Sequence, residues 1–338
     1  MRDVQLDNYR ALAMIYILCI GHMVYWLLNG NEPYISFVLF IVPQLFFLSG
    51  AAVSVSRSKR GLLSTVANRF KRIVVPYYIY AIVALAIAVA VTVLVPDVER
   101  FGIRPFHLSD YGPRDVADIL LCKNIPGIAY MAHLWFIIPY LILSSTFPFQ
   151  IKLMQRVNRH VYMAACIAAF LIAQAFTPYT LLRELLCFNI FLVAGYLYYK
   201  KCGVMIPAIV GLMAMAALLI YQFLLGGNFA PIQDHKFPPD WVYMTYSLMM
   251  LCVLSLVLRK VYIPQNRILR IWNERGYTIY LYQSIVFAVI AILRYRTYMY
   301  TTPLMLRMLI DAVLIFVLST ALSYLTYPLE RFIMKKLK

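Results

Sequence analysis

The chain has 338 residues, of which 63% are hydrophobic and 13% charged, with a mean hydropathy of +0.76 and a formal net charge of +17. So little charge over such a length excludes a soluble globular domain and fits a chain made of bilayer-spanning segments. The positive charge also excludes nucleic-acid binding as its explanation, because the cations fall almost entirely on one side of the apolar segments.

Apolar stretches near 8–28, 34–56, 73–95, 132–150, 160–177, 181–199, 204–225, 241–258, 277–293 and 304–326 predict about ten spanning helices, an all-α polytopic membrane protein. With the N-terminus in the cytoplasm, the inner segments hold Arg2, Arg10, the six cations from Arg57 to Arg72, Lys152, Arg156, Arg159, Lys200 and Lys201. They also hold the five cations from Arg259 to Arg275, and Arg331, Lys335, Lys336 and Lys338. These are 22 of the 31 cations, against only four of the 14 acids (Asp3, Asp7, Glu274 and Glu330). The positive-inside rule then places both termini in the cytoplasm. The first helix is too long for a removable signal peptide and lacks a small-residue cleavage site. The six cysteines show no paired spacing, and neither a disulfide framework nor a metal site is expected.

Ionisable groups inside a spanning segment are costly, so each is a functional candidate. The first helix opens Leu6-Asp7-Asn8-Tyr9-Arg10 and carries Gly21-His22 further along. Asp7 and Arg10 are three residues apart and share a helical face, where they can pair. His22 lies about 18 Å beyond Arg10 along the axis, well inside the hydrocarbon. Its ordinary pKa suits it to proton transfer, although a structural histidine bonded to a neighbouring helix is the plainer alternative. The second helix ends Phe46-Phe47-Leu48-Ser49-Gly50, a small-residue pair that permits close helix approach.

The most basic loop follows and closes on Asn68-Arg69-Phe70-Lys71-Arg72, through to Pro76. Arg69 and Arg72 are one turn apart and present two guanidinium forks, suited to phosphate or to anionic lipid. The segment from Pro96 to Met131 is the longest outside the spans. It is expected at the outer face as a lid, with a short surface helix over Asp115 to Cys122. His133 and Trp135 open the fourth helix at the outer interface, where aromatic belts are common. The ninth helix, from Gly276-Tyr277-Thr278-Ile279-Tyr280 to Gln283, is rich in tyrosines that can line a cavity or simply pack. Arg294 and Arg296 lie outside by parity, as a cation pair for an acidic acceptor or for lipid headgroups. Asp311, without a partner nearby in sequence, can orient a cation or bond a sugar.

Read together, these segments resemble acyltransferase family 3, integral membrane proteins that move acyl groups from acyl-CoA onto extracytoplasmic carbohydrates or natural products. The resemblance is carried by Leu6-Asp7-x-x-Arg10-Ala11-Leu12-Ala13 leading to His22, by Phe46-Phe47-Leu48-Ser49-Gly50, and by Arg69-x-x-Arg72 followed by Pro76. It continues through Leu134-Trp135-Phe136, Gly195-Tyr196, Gly276-Tyr277-Thr278-Ile279-Tyr280-Leu281 and Pro328-Leu329-Glu330-Arg331. It implies one transmembrane domain over 1–338, with an outer loop at 96–131. The function it implies is O-acyl transfer, most simply of acetyl, from acetyl-CoA to a glycan or lipid-linked saccharide at a bacterial plasma membrane. No metal and no nucleic acid enter this reading.

By the resemblance His22 is the catalytic histidine, supported by Arg10 and Asp7. Arg69 and Arg72 hold coenzyme A, with Ser49, Tyr277 and Tyr280 as further donor contacts. His133, Trp135, Asp311, Arg294 and Arg296 then face the acceptor. Two departures stand out. The family places ten residues between its arginine and histidine where this chain has eleven. One extra residue turns a helix by about 100°, so either a π-bulge absorbs it or the two groups face differently. Gln283 also stands where many members have a histidine. No esterase-like domain lies within these residues, so the chain is expected to complete the transfer itself. The competing class is a transporter or flippase, against which stands the lack of two-fold similarity between the halves.

Overall fold

The computed structural model describes residues 3–27, 37–56, 62–95, 97–101, 103, 105–122, 132–224, 231–297 and 301–336. The basic run Arg57–Arg60 and part of the 96–131 loop (96, 102, 104 and 123–131) lie outside the described residues.

The protein is an all-α polytopic membrane protein. The helices are α1 (Val4–Leu27), α2 (Ile41–Val55), α3 (Leu62–Leu94), α4 (Pro113–Leu120), α5 (Ile137–Met154) and α6 (Arg159–Phe176). They continue with α7 (Thr180–Tyr198), α8 (Met205–Leu224), α9 (Trp241–Arg259), α10 (Arg267–Thr297) and α11 (Leu304–Lys336). Among the described residues nine of these are long and apolar enough to cross a membrane, and α2 is a shorter apolar helix. That accounts for the ten predicted segments, with two kinds of adjustment. Within the described part of the 34–56 segment the helix begins at Ile41, and α3, α10 and α11 run well past their apolar stretches. Hydropathy marks only the part of a helix that meets lipid, so the polar turns that extend it escape a hydropathy reading.

The chain divides into two compact units. The first comprises residues 1–60 and 146–273. Its centre is the crossing of α2 and α7, where Phe46 stacks on Phe188 at 4.8 Å between ring centroids. Gly50 and Gly195 make the crossing possible. A Cβ on Gly50 would lie 1.9 Å from the Leu192 carbonyl oxygen, and one on Gly195 would lie 1.9 Å from that of Phe47. The backbones touch, which only glycine permits. Gly50→Ala or Gly195→Ala must force the helices apart, at an expected cost of about 1–3 kcal/mol. A thermal melt in detergent that is unchanged by either substitution would show the crossing to be looser than this.

The start of α1 is clamped within the same unit. Asp3 caps it by accepting from the Leu6 N–H, and also accepts from Tyr199 and from Lys200 at 2.7 Å. Gln5 and Asn8 both donate to the Ile263 carbonyl, and Tyr9 donates to that of Leu258. These bonds fix the turn that carries Arg10.

The second unit comprises residues 61–145 and 274–338, with α11 packed on α3. Here the helix expected in the 96–131 segment forms as α4, and the described part of the segment runs back along α3. The Phe106 N–H donates to Thr92, while Tyr77 and Tyr78 donate to the carbonyls of Ile119 and Leu120. Thr92 and Tyr77 are fifteen residues apart, about 22 Å along the helix axis. The physical reason is mutual need. The last carbonyls of α4 lack intrahelical partners, and tyrosine hydroxyls at membrane depth must find acceptors. Val116 and Leu120 are exposed on α4, as is Leu121 at its end.

Candidate functional site

In the first unit the decisive feature is in the middle of α1. Residues Ile17–His22 form a π-helical turn, and the Met23 N–H reaches the Leu18 carbonyl, five residues back. The twelve steps from Arg10 to His22 would leave them about 120° apart on a regular helix. A π-turn holds one extra residue, so the offset falls to about 20° and the two side chains share a face. The structure therefore takes the first of the two alternatives left by the sequence.

His22 is buried and Arg10 half-buried. Ile20, in the bulge, is 40% exposed, so the inserted residue is presented away from the core. Deleting Ile20 should therefore restore a regular helix with His22 still on the Arg10 face. Function in that variant is expected to stay within tenfold of wild type, whereas inserting an alanine after Met14 should abolish it. Equal loss in both would mean that the register between the two residues is irrelevant.

The other sequence candidates of this unit are placed as follows. Asp7 is buried on α1, but among the described residues no ion pair joins it to Arg10. Ser49 spends its hydroxyl on the Leu45 carbonyl within α2. Beside the π-turn runs the stretch 37–39, hung from three tyrosines: Tyr246 donates to the Phe37 carbonyl, Tyr16 to that of Val38 and Tyr243 to that of Leu39. A Cβ on Gly21 would lie 3.8 Å from the Val38 oxygen, so this stretch packs directly on the turn that ends in His22.

In the second unit the structure brings together Arg69, Arg72 and Tyr277. Arg69 donates to the Ser144 carbonyl at 2.7 Å, Arg72 is exposed one turn on, and the Tyr277 hydroxyl donates to the Ile73 carbonyl. Tyr277 thus holds the basic turn in place through its backbone. Thr278 donates to buried Glu330 at 2.5 Å, beside that turn. Sequence reasoning passed over Glu330 as part of a motif; its position in an otherwise apolar-faced helix was the available signal.

A second cluster gathers His133 and Tyr280. His133 is buried; its Nε2 bonds the Leu281 carbonyl, and the Tyr280 hydroxyl donates to the His133 carbonyl. Tyr80 packs edge-on to both His133 and Tyr282. Trp135 is half-buried one step on, against Phe136. Tyr280 therefore locks the entry to α5 onto α10.

The supposed pair of outer cations separates. Arg294 is buried and faces the fully buried Asp311 at 3.7 Å, which gives that acid its partner across two helices. Arg296 is exposed, over the ring of Phe101. Gln283 is fully buried on α10.

The model of the acyltransferase domain family matches residues 3–328. No curated protein and no solved structure matches the chain. The family match spans nearly all of a polytopic helical chain, and this membrane protein belongs to acyltransferase family 3.

Proposed function

We propose that this acyltransferase takes an acyl group, acetyl in the simplest case, from cytoplasmic acyl-CoA and transfers it to a hydroxyl of an extracytoplasmic glycan or lipid-linked saccharide. The proposed setting is the bacterial plasma membrane, with both termini in the cytoplasm. The observation that carries this reading is the π-turn, which keeps a buried His22 on the face of Arg10 despite the extra residue between them. π-turns interrupt helices mostly at functional sites. A buried imidazole aligned with an arginine that has no ion pair among the described residues suits proton transfer beside a developing negative charge.

In the reaction, His22 takes the proton of the acceptor hydroxyl as its oxygen attacks the thioester carbonyl. Arg10 offsets the negative charge of the tetrahedral intermediate. The carbon–sulfur bond then breaks, and the imidazolium returns its proton to the departing CoA thiolate. In the other unit, Arg69 and Arg72 are the phosphate contacts for coenzyme A. Arg69 keeps N–H groups beyond the one given to Ser144, and Arg72 is exposed. Calorimetry of the purified protein in lipid nanodiscs tests the donor assignment. Acetyl-CoA is expected to bind in the micromolar range and free acetate not at all; a protein that ignores acetyl-CoA would not use it as donor.

A further inference from the structure

Glu330 is 3% exposed on α11, and its two carboxylate oxygens are treated differently. Oε2 accepts from the Thr278 hydroxyl, whereas Oε1 is buried with no hydrogen-bond partner among the described residues. Leaving a buried acceptor unmet is costly. The cations that could meet it are turned elsewhere. Arg275, three residues before Thr278 on α10, has its guanidinium carbon 4.1 Å from the ring centroid of Tyr324. Arg331, the residue after Glu330, has its own 5.9 Å from that of Tyr327. Neither forms an ion pair with Glu330 among the described residues. An acid left half-bonded by its own protein, in a helix apolar enough to cross a membrane, is a functional candidate.

Adjacent residues of α10 tie this acid to the basic turn of α3. Tyr277 donates to the Ile73 carbonyl at 3.0 Å, one residue beyond Arg72, and Thr278 donates to Glu330. Those two bonds place the Glu330 carboxylate on the order of 10 Å from the Ile73 carbonyl, about a helix diameter. One turn further along α10, Tyr282 packs edge-on to Tyr80 of α3, 5.1 Å between ring centroids. The Tyr282 hydroxyl is also buried without a hydrogen-bond partner among the described residues. The two open atoms differ in kind, since a carboxylate accepts and a phenol donates. A secondary amide needs one of each, for its N–H and its carbonyl. From Thr278 to Tyr282 is about 6 Å along the helix axis. The pantetheine arm of coenzyme A carries two amides joined through two methylenes, their nitrogens about 5 Å apart at ordinary bond lengths. The first amide is only a few bonds from the pyrophosphate.

We propose that Glu330 and Tyr282 bind this arm, Glu330 accepting from the first amide N–H and Tyr282 donating to the second amide carbonyl. The assignment rests on the acyl-CoA reading, and the test separates the two. Calorimetry on the full chain in nanodiscs compares acetyl-CoA with adenosine 3′,5′-bisphosphate, which lacks the arm. Glu330→Leu should raise the acetyl-CoA Kd at least tenfold and Tyr282→Phe at least threefold. The Kd for the bisphosphate should stay within twofold of wild type in both, whereas Arg69→Ala should weaken both ligands. On unmodified protein, acetyl-CoA should slow labelling of Glu330 by dicyclohexylcarbodiimide at least threefold and the bisphosphate should not. That readout survives if either variant fails to fold. Equal loss of both ligands would make Glu330 a support for the basic turn and overturn the amide site. Unchanged acetyl-CoA affinity, or labelling indifferent to acetyl-CoA, would overturn it too. Wild type that binds both ligands with the same Kd would sink the site alone. Wild type that binds neither would sink the acyl-CoA reading and the site with it.

Discussion

Replacing His22 with alanine is expected to slow acyl transfer by about 10²–10⁴ while leaving acetyl-CoA affinity and thermal stability near wild type. The size follows from the loss of a general base at a hydroxyl far too weakly acidic to attack unaided. The selectivity follows from position. His22 lies twelve residues beyond Arg10, in the turn packed against the 37–39 stretch, and the arginines proposed to hold the CoA phosphates are on α3. Single-turnover measurements with labelled acetyl-CoA would separate the chemical step from binding. Near-normal transfer by the variant would remove His22 from the mechanism, and a parallel loss of donor affinity would make it a binding residue.

The second large effect is expected at the basic turn of α3. Arg69→Ala and Arg72→Ala should each weaken acetyl-CoA binding by about 1.5–3 kcal/mol, the worth of a charge-assisted hydrogen bond to phosphate. That is roughly a ten- to hundredfold rise in Kd. Lys71→Ala should change it less than threefold, although Lys71 is also exposed and equally charged. One residue before Arg72, it points about 100° away around the helix. Calorimetry on the three variants decides between geometry and bulk charge. Equal losses would mean that the arginines only contribute a positive potential, as expected of residues that merely meet anionic lipid.

The membrane class was legible in the sequence because hydropathy and the one-sided distribution of cations both report on the solvent around the chain. The spans themselves were found, but their ends were not. The first turns of α3 and α10 mix charged and apolar residues, and only the backbone ladder shows that Asn68 to Arg72 and Arg267 to Gly276 are helical. The register problem between Arg10 and His22 was visible as a count. Its solution was not, because whether a helix absorbs one residue as a π-turn depends on the neighbours that hold both ends. Here these are the clamp on Ile263 and the packing of the 37–39 stretch.

Long-range partners were the main loss. Arg294 looked like a free outer cation and Asp311 like an acid without a mate, yet they face each other from α10 and α11. His133 is packed by Tyr80 and Tyr280, which lie far from it in sequence. The loop helix was anticipated at nearly the right residues but not its place along α3. That place is set by two tyrosine hydroxyls seeking the carbonyls at the end of α4.

The central claim is that this protein moves an acyl group from acyl-CoA to a hydroxyl through His22, and one measurement tests it most directly. Membranes containing the wild-type protein or the His22→Ala variant are incubated with acetyl-CoA labelled in the acetyl carbon, and the glycan and lipid-linked saccharide fraction is recovered. The account predicts label in that fraction with wild type only, released by mild alkali as expected of an oxygen ester. Label that resists mild alkali, that appears equally with His22→Ala, or that never leaves acetyl-CoA would contradict it.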